Sequence, residues 1–165
     1  MRRLFYSCIL ALIASSSVAQ ELSIRDVFRQ MPDSLMPYLS ANNRLDFIDF
    51  LDSGMKAEVK NQFDGTSEMT ALTSDSLSIR MNGALRVDML FLKLDEPLDS
   101  VSHVVVFVET FKADSVYGEK SVRYFTSDWQ QIRQDIPWNE IQRRRIRNLG
   151  LQNILKWDNK KFNMS

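Results

Sequence analysis

His103 is the chain's one histidine, and any search for catalytic chemistry has to begin there. A serine nucleophile needs a base to take its proton, and imidazole is the usual choice. His103 stands at the start of the valine-rich run 101–111, where an imidazole ordinarily serves as a hydrogen-bonded strand-end residue. Carboxylates offer a second chemistry. Asp46, Asp49 and Asp52 recur at intervals of three and would line one face of a helix. Three carboxylates suit a hard cation such as calcium, but one helix supplies too few converging oxygens. Acidic residues also favour a helix N-terminal half without any metal, so a solvated face is the expectation. Glycine excludes more. Gly54, Gly65, Gly83, Gly118 and Gly150 stand singly, so no phosphate-cradling loop or dinucleotide fingerprint can be built. Nor is there a nucleophile elbow or a paired-histidine zinc motif. No catalytic residue, cofactor or metal ligand is assigned from the sequence.

Charge gives one further candidate. Residues 20–128 carry 11 Lys/Arg and 18 Asp/Glu, whereas residues 129–165 carry 8 and 3. Arg143, Arg144, Arg145 and Arg147 are the densest part of the basic block. They suit contact with an anionic envelope surface, either phospholipid headgroups or acidic glycan. Docking of the basic block against the acidic body of the same chain is the favoured reading. The small net charge does not suggest a nucleic-acid binder.

The N-terminus reads as an export signal. Arg2 and Arg3 precede an apolar run, Leu4 to Ala14, and Ser15-Ser16-Ser17-Val18-Ala19 ends in a signal-peptidase pattern. Cleavage is expected between Ala19 and Gln20. The run is too short to span a bilayer core, which needs about 20 residues. Cys8 lies near the start of that run, where a lipobox cysteine would have to follow it. Cleavage would remove this single cysteine, leaving a mature chain without disulfide or thiolate chemistry. No second apolar run approaches spanning length, so the mature chain is expected to carry no transmembrane anchor.

These residues must be positioned by secondary structure, and the pattern changes along the chain. Ser23 to Asp26 resembles a capping signal, predicting a short helix over residues 24–31 that Pro32 ends. Leu35, Met36 and Leu39 should pack inward from a turn-rich stretch. Asn42 or Asn43 is expected to cap a longer helix whose apolar stripe runs Leu45, Ile48, Leu51, Met55, Val59 and Phe63. From Glu68 the period becomes two. Leu77, Ile79 and Met81 should face Met89, Val87 and Leu85 across a three-residue turn, the register that keeps every apolar residue on one face. Residues 101–111 are apolar on both alternations and predict a central strand covered on both sides. Residues 121–127 form another strand. Pro137 is expected to open a helix through Asn148 that Gly150 stops. Leu151, Ile154, Leu155 and Trp157 then offer a last apolar patch. The fold class expected is α+β, a single domain over residues 20–165. N-terminal helices pack on an antiparallel meander sheet of four or five strands, followed by a C-terminal helix, with the helices segregated on one side of the sheet.

The run Ile24-Arg25-Asp26-Val27-Phe28-Arg29-Gln30-Met31-Pro32-Asp33-Ser34-Leu35-Met36-Pro37-Tyr38-Leu39, followed by Asn42-Asn43-Arg44-Leu45-Asp46-Phe47-Ile48-Asp49-Phe50, carries a resemblance. It looks like the opening signature of an uncharacterised family, domain of unknown function 3256, of exported proteins from Bacteroides-like bacteria. The likeness is closest over residues 24–60 and is not followed past Trp129. The family carries no established activity, so it implies a bacterial envelope setting and no catalytic residue. Bacteria of this group attach O-glycans at Asp-Ser or Asp-Thr followed by a small or apolar residue. The matching positions are Ser34, Ser76, Ser100 and Ser115.

The functional expectation is a non-enzymatic exported protein, periplasmic or surface-exposed, that binds an envelope protein or glycan. The alternative is a periplasmic hydrolase whose carboxylates converge only in the fold, beside His103 or Tyr124. An aromatic patch around Trp129, Trp138 or Trp157 would favour binding.

Overall fold

A computed structural model describes residues 21–112 and 118–150. Ser23 caps α1 (Ile24–Arg29) in a capping box closed by Asp26. A 3-10 turn, Asp33–Leu35, follows. The second helix, α2 (Ala41–Asp52), is capped by Ser40 with Asn43 returning the bond from the third helical position, two or three residues before the expected cap at Asn42 or Asn43. Seven strands then run in chain order: β1 (Glu58–Lys60), β2 (Thr66–Leu72), β3 (Ser76–Arg80), β4 (Leu85–Leu98), β5 (Val101–Phe111), β6 (Lys120–Phe125) and β7 (Gln131–Ile132). Last comes α3 (Glu140–Asn148), capped by Asn139, so it opens three residues after Pro137, where the helix was expected to begin.

Every strand pairs antiparallel with its sequence neighbour, so the sheet is a simple meander. Among the described residues it holds seven strands where four or five were expected. The extra members, β1 and β7, are three and two residues long, too short to print an alternation. The β3–β4 register is the one expected: Leu77 faces Met89, Ile79 faces Val87, and Met81 donates its N–H to Leu85.

The long apolar stripe proposed for α2 is wrong after Asp52. Gly54 adopts φ +68°, a conformation that ends a helix and that residues with a Cβ resist. Met55 and Phe63 are exposed, and Val59 sits in β1. Leu45 is exposed too, while Arg44, Phe47 and Ile48 form the buried face.

The helices do not share one side of the sheet. Ile24, Val27 and Phe28 of α1 and Phe47 and Ile48 of α2 pack with Met89, Phe91, Val105 and Phe107 on one face. Ile146 of α3, with Ile136 and Trp138, packs with Leu90, Leu92, Val104, Val106 and Val108 on the other. The double alternation of β5 foretells this two-sided cover, since successive strand residues point to opposite faces.

Candidate functional site

The site arises from a mismatch in strand length. β3 has five residues and β4 has fourteen, so β4 and its partner β5 project past the end of β3 as a two-stranded arm. An uncovered strand edge leaves backbone groups without partners. Here α3 lies along that edge. Gln142 donates its side-chain amide to the Lys93 carbonyl at 2.5 Å, and Asn139 donates to both carboxylate oxygens of Asp95 at 3.0 and 2.9 Å. Arg145 donates to Asp75, in the β2–β3 connection, at 2.7 Å. The start of α1 is tied to the same connection by the Ile24 N–H on the Ser74 carbonyl.

Between these elements lies an open cleft of about 580 Å³. Phe91 and His103 line it, their rings stacked at 4.9 Å with an interplanar angle of 15°. The side chains of Leu22 and Ile141 line it and are exposed, Ile141 by 73%. Lys93 and Arg145 bring positive charge, and Glu21 and Asp75 bring negative charge. Asp75 is committed to Arg145, whose hydrogen bond holds its carboxyl below the ordinary carboxylate range. Lys93 has no carboxylate partner among the described residues. Burial and the neighbouring Lys93 charge push the His103 imidazole below its ordinary pKa, opposed by Glu21. Its Nδ1 lies 3.0 Å from the Ser102 hydroxyl, and no carboxylate orients it among the described residues.

Of the residues singled out by sequence, His103 and Arg145 meet in this cleft. The other arginines diverge. Arg143 donates to the Trp138 carbonyl, Arg147 pairs with Glu140 at 2.5 Å, and Arg144 points outward, exposed. Asp52 binds Arg25 through both oxygens, while Asp46 and Asp49 are exposed. Among the described residues no three His, Cys, Asp or Glu side chains gather as a metal site. Ser34 and Ser100 are exposed, and Ser76 is half-buried with its hydroxyl against Thr73. Ser115, Trp157, the apolar patch from Leu151 and the Ala19–Gln20 junction lie outside the described residues. The aromatic surface patch that would have favoured binding is not formed at Trp129 or Trp138. Trp129 and Trp138 are core residues, each below a tenth exposed.

Sequence reasoning missed Leu22, Lys93 and Ile141. One signal was available. Ile141 and Ile146 are five residues apart, about 140° around a helix, so one face of α3 cannot bury both.

Comparisons with known proteins agree with this fold and add no activity. A family model described as "Protein of unknown function (DUF3256)" matches residues 14–162. No curated protein matches the chain. A solved structure, that of a domain of an uncharacterized protein from Porphyromonas gingivalis W83, is similar at 20% identity with a TM-score of 0.54. The likeness covers 70% of this chain and 56% of that one, so the chain spans little more than half of that relative's length. At that identity the likeness concerns the fold alone.

Proposed function

The chain belongs to the DUF3256 family of proteins of unknown function, and from that premise we propose that it is an exported, envelope-located binding module whose ligand enters the cleft between α1, α3 and the β4–β5 arm. The observation that carries this reading is Lys93, a cation without a carboxylate partner among the described residues, beside the exposed side chains of Leu22 and Ile141. Aromatic and apolar lining beside one cation that makes no salt bridge among the described residues, with Glu21 as the opposing charge in the cleft, suits a small amphipathic ligand ending in a carboxylate. The volume falls within the range of about 300–1,000 Å³ usual for small-molecule sites. The hydrolase alternative asks for a deep pocket lined by two or more carboxylates together with His103 or Tyr124. The cleft offers Glu21 and Asp75, and Asp75 is occupied by Arg145.

The test is a titration with N-octanoylglycine against its uncharged amide, followed by the NMR signals of the His103 ring. Saturable shifts with the acid, weakened at least tenfold by Lys93→Glu and by Ile141→Glu, support the reading. Equal response to acid and amide, or no response at millimolar ligand, refutes it. Export and sugar attachment belong to the same proposal and are tested separately. Secretion from a bacterial host should give a chain starting at Gln20, and its intact mass should exceed the bare polypeptide if Ser34 or Ser100 carries glycan.

A further inference from the structure

A second hollow lies at the other end of the β3–β4 hairpin. Arg80 and Arg86 are direct cross-strand partners, an arrangement that places like charges opposite each other and by itself destabilises a sheet. Each guanidinium is steadied by a carboxylate. Arg80 pairs with Glu68, and Arg86 donates Nε and Nη2 to Asp88 at 3.0 and 2.7 Å, with Nη2 also reaching the Ser78 hydroxyl. Guanidinium carries five N–H donors, so several remain unused on both residues. Lys112 joins them from the end of β5. Its backbone N–H is fixed to the Ala84 carbonyl at 2.7 Å, and its ammonium has no carboxylate partner among the described residues.

Thr70, Arg80, Asn82, Arg86 and Lys112 line a space of about 180 Å³ between these groups. Three cations and no carboxylate form its wall, and the paired Glu68 and Asp88 stand outside it. The space is below the size usual for a drug-like ligand, and it admits a small group with some water. Arginine forks match tetrahedral oxyanions in both geometry and charge. We propose that this hollow is an anion site that takes a phosphate or sulfate group borne by a small soluble ligand. It is separate from the cleft. Arg86 and Lys93 are seven residues apart on one strand, roughly 20 Å or more.

The anion offsets the cost of opposing Arg80 and Arg86, which explains why two arginines share a register position where alternating charge would be more stable. Glu68 and Asp88 then act as positioning residues that orient the forks before the ligand arrives.

The experiment follows the Nε signals of Arg80 and Arg86 by NMR in low-salt buffer. Inorganic phosphate, sulfate, a hexose phosphate, chloride at matched ionic strength and phosphatidylglycerol vesicles are added in separate titrations. Saturable shifts with phosphate, sulfate and the hexose phosphate, absent with chloride, are expected. Lys112→Gln should weaken binding about tenfold, the loss of one charge-assisted contact, with an unchanged melting temperature. Lys93→Glu, in the cleft, should leave phosphate binding intact, which separates this site from the proposed ligand cleft. Equal shifts with chloride, or no effect of Lys112→Gln, would overturn the proposal. A response to vesicles alone would replace it with a membrane contact.

Discussion

Trp129 donates its indole N–H to the backbone carbonyl of Val27 at 2.9 Å, joining residues 102 positions apart. Trp129 sits in the β6–β7 turn with φ +66°, while Val27 belongs to α1. The bond crosses from the last hairpin of the sheet to the first helix, and it is buried.

Trp129→Phe removes that donor and part of the ring volume beside Phe125. The expected loss is about 2 kcal/mol, the sum of an unmade buried hydrogen bond and a small cavity. Urea denaturation at neutral pH measures it, and a midpoint equal to the wild type would refute the assigned role.

Arg44 is 2% exposed and donates to the carbonyls of Leu39 and Met31 at 3.1 and 2.6 Å. Its Nη2 also reaches Asp33 at 2.8 Å, and its Nε has no hydrogen-bond partner among the described residues. Asp33 is largely exposed, so the carbonyls are the stronger partners. Arg44→Met, which orphans both, should cost about 2–4 kcal/mol. Asp33→Ala should cost below about 1 kcal/mol. A reversed order of the two, read from chemical unfolding, would mean that the ion pair holds the loop.

His103 gives a pH signature. Its folded-state pKa lies below the ordinary 6.5 because burial and Lys93 disfavour the charged ring. A depressed histidine means that the unfolded chain binds more protons between the two values, so stability rises with pH there. The contribution is complete above about pH 6.5 and is lost as the pH falls towards the folded value. Asp26 and Asp75 are also held below 3.8, and their contributions disappear only at more acid pH. Urea midpoints collected from pH 7.5 to 4.5 should fall for the wild type and flatten over this window for His103→Gln.

Gly54→Ala tests the end of α2. No atom of the described residues lies within 4 Å of an added Cβ, so the cost is conformational and comes from φ +68°. About 1 kcal/mol of destabilisation is expected, with Asn better tolerated than Ala. An unchanged melting temperature for the alanine variant would show that the helix end relaxes freely.

These positions also explain what was legible in the sequence. The β3–β4 register could be derived because a one-residue slip would turn Leu77, Ile79 and Met81 away from their apolar partners. Helix α2 was over-extended because Met55, Val59 and Phe63 fall at helical spacing by accident. The left-handed Gly54, visible only as a glycine, was the competing signal. Strands β1 and β7 escaped because their identity comes from pairing with β2 and β6, which no local pattern encodes. The cleft escaped for the same reason. Leu22, Lys93 and Ile141 come from three distant segments and meet only because β4 outruns β3.

The β4–β5 pair divides the two cores and belongs to both. Phe91 and Val105 face one, and Leu92 and Val104 face the other. Such a party wall leaves neither half with a complete interior of its own. Detaching α3 bares the wall on one side, and losing α1 and α2 bares it on the other. The chain should therefore unfold in one cooperative step. Amide exchange should be slowest along Val104–Val108, where protection of either half depends on the same β4–β5 ladder.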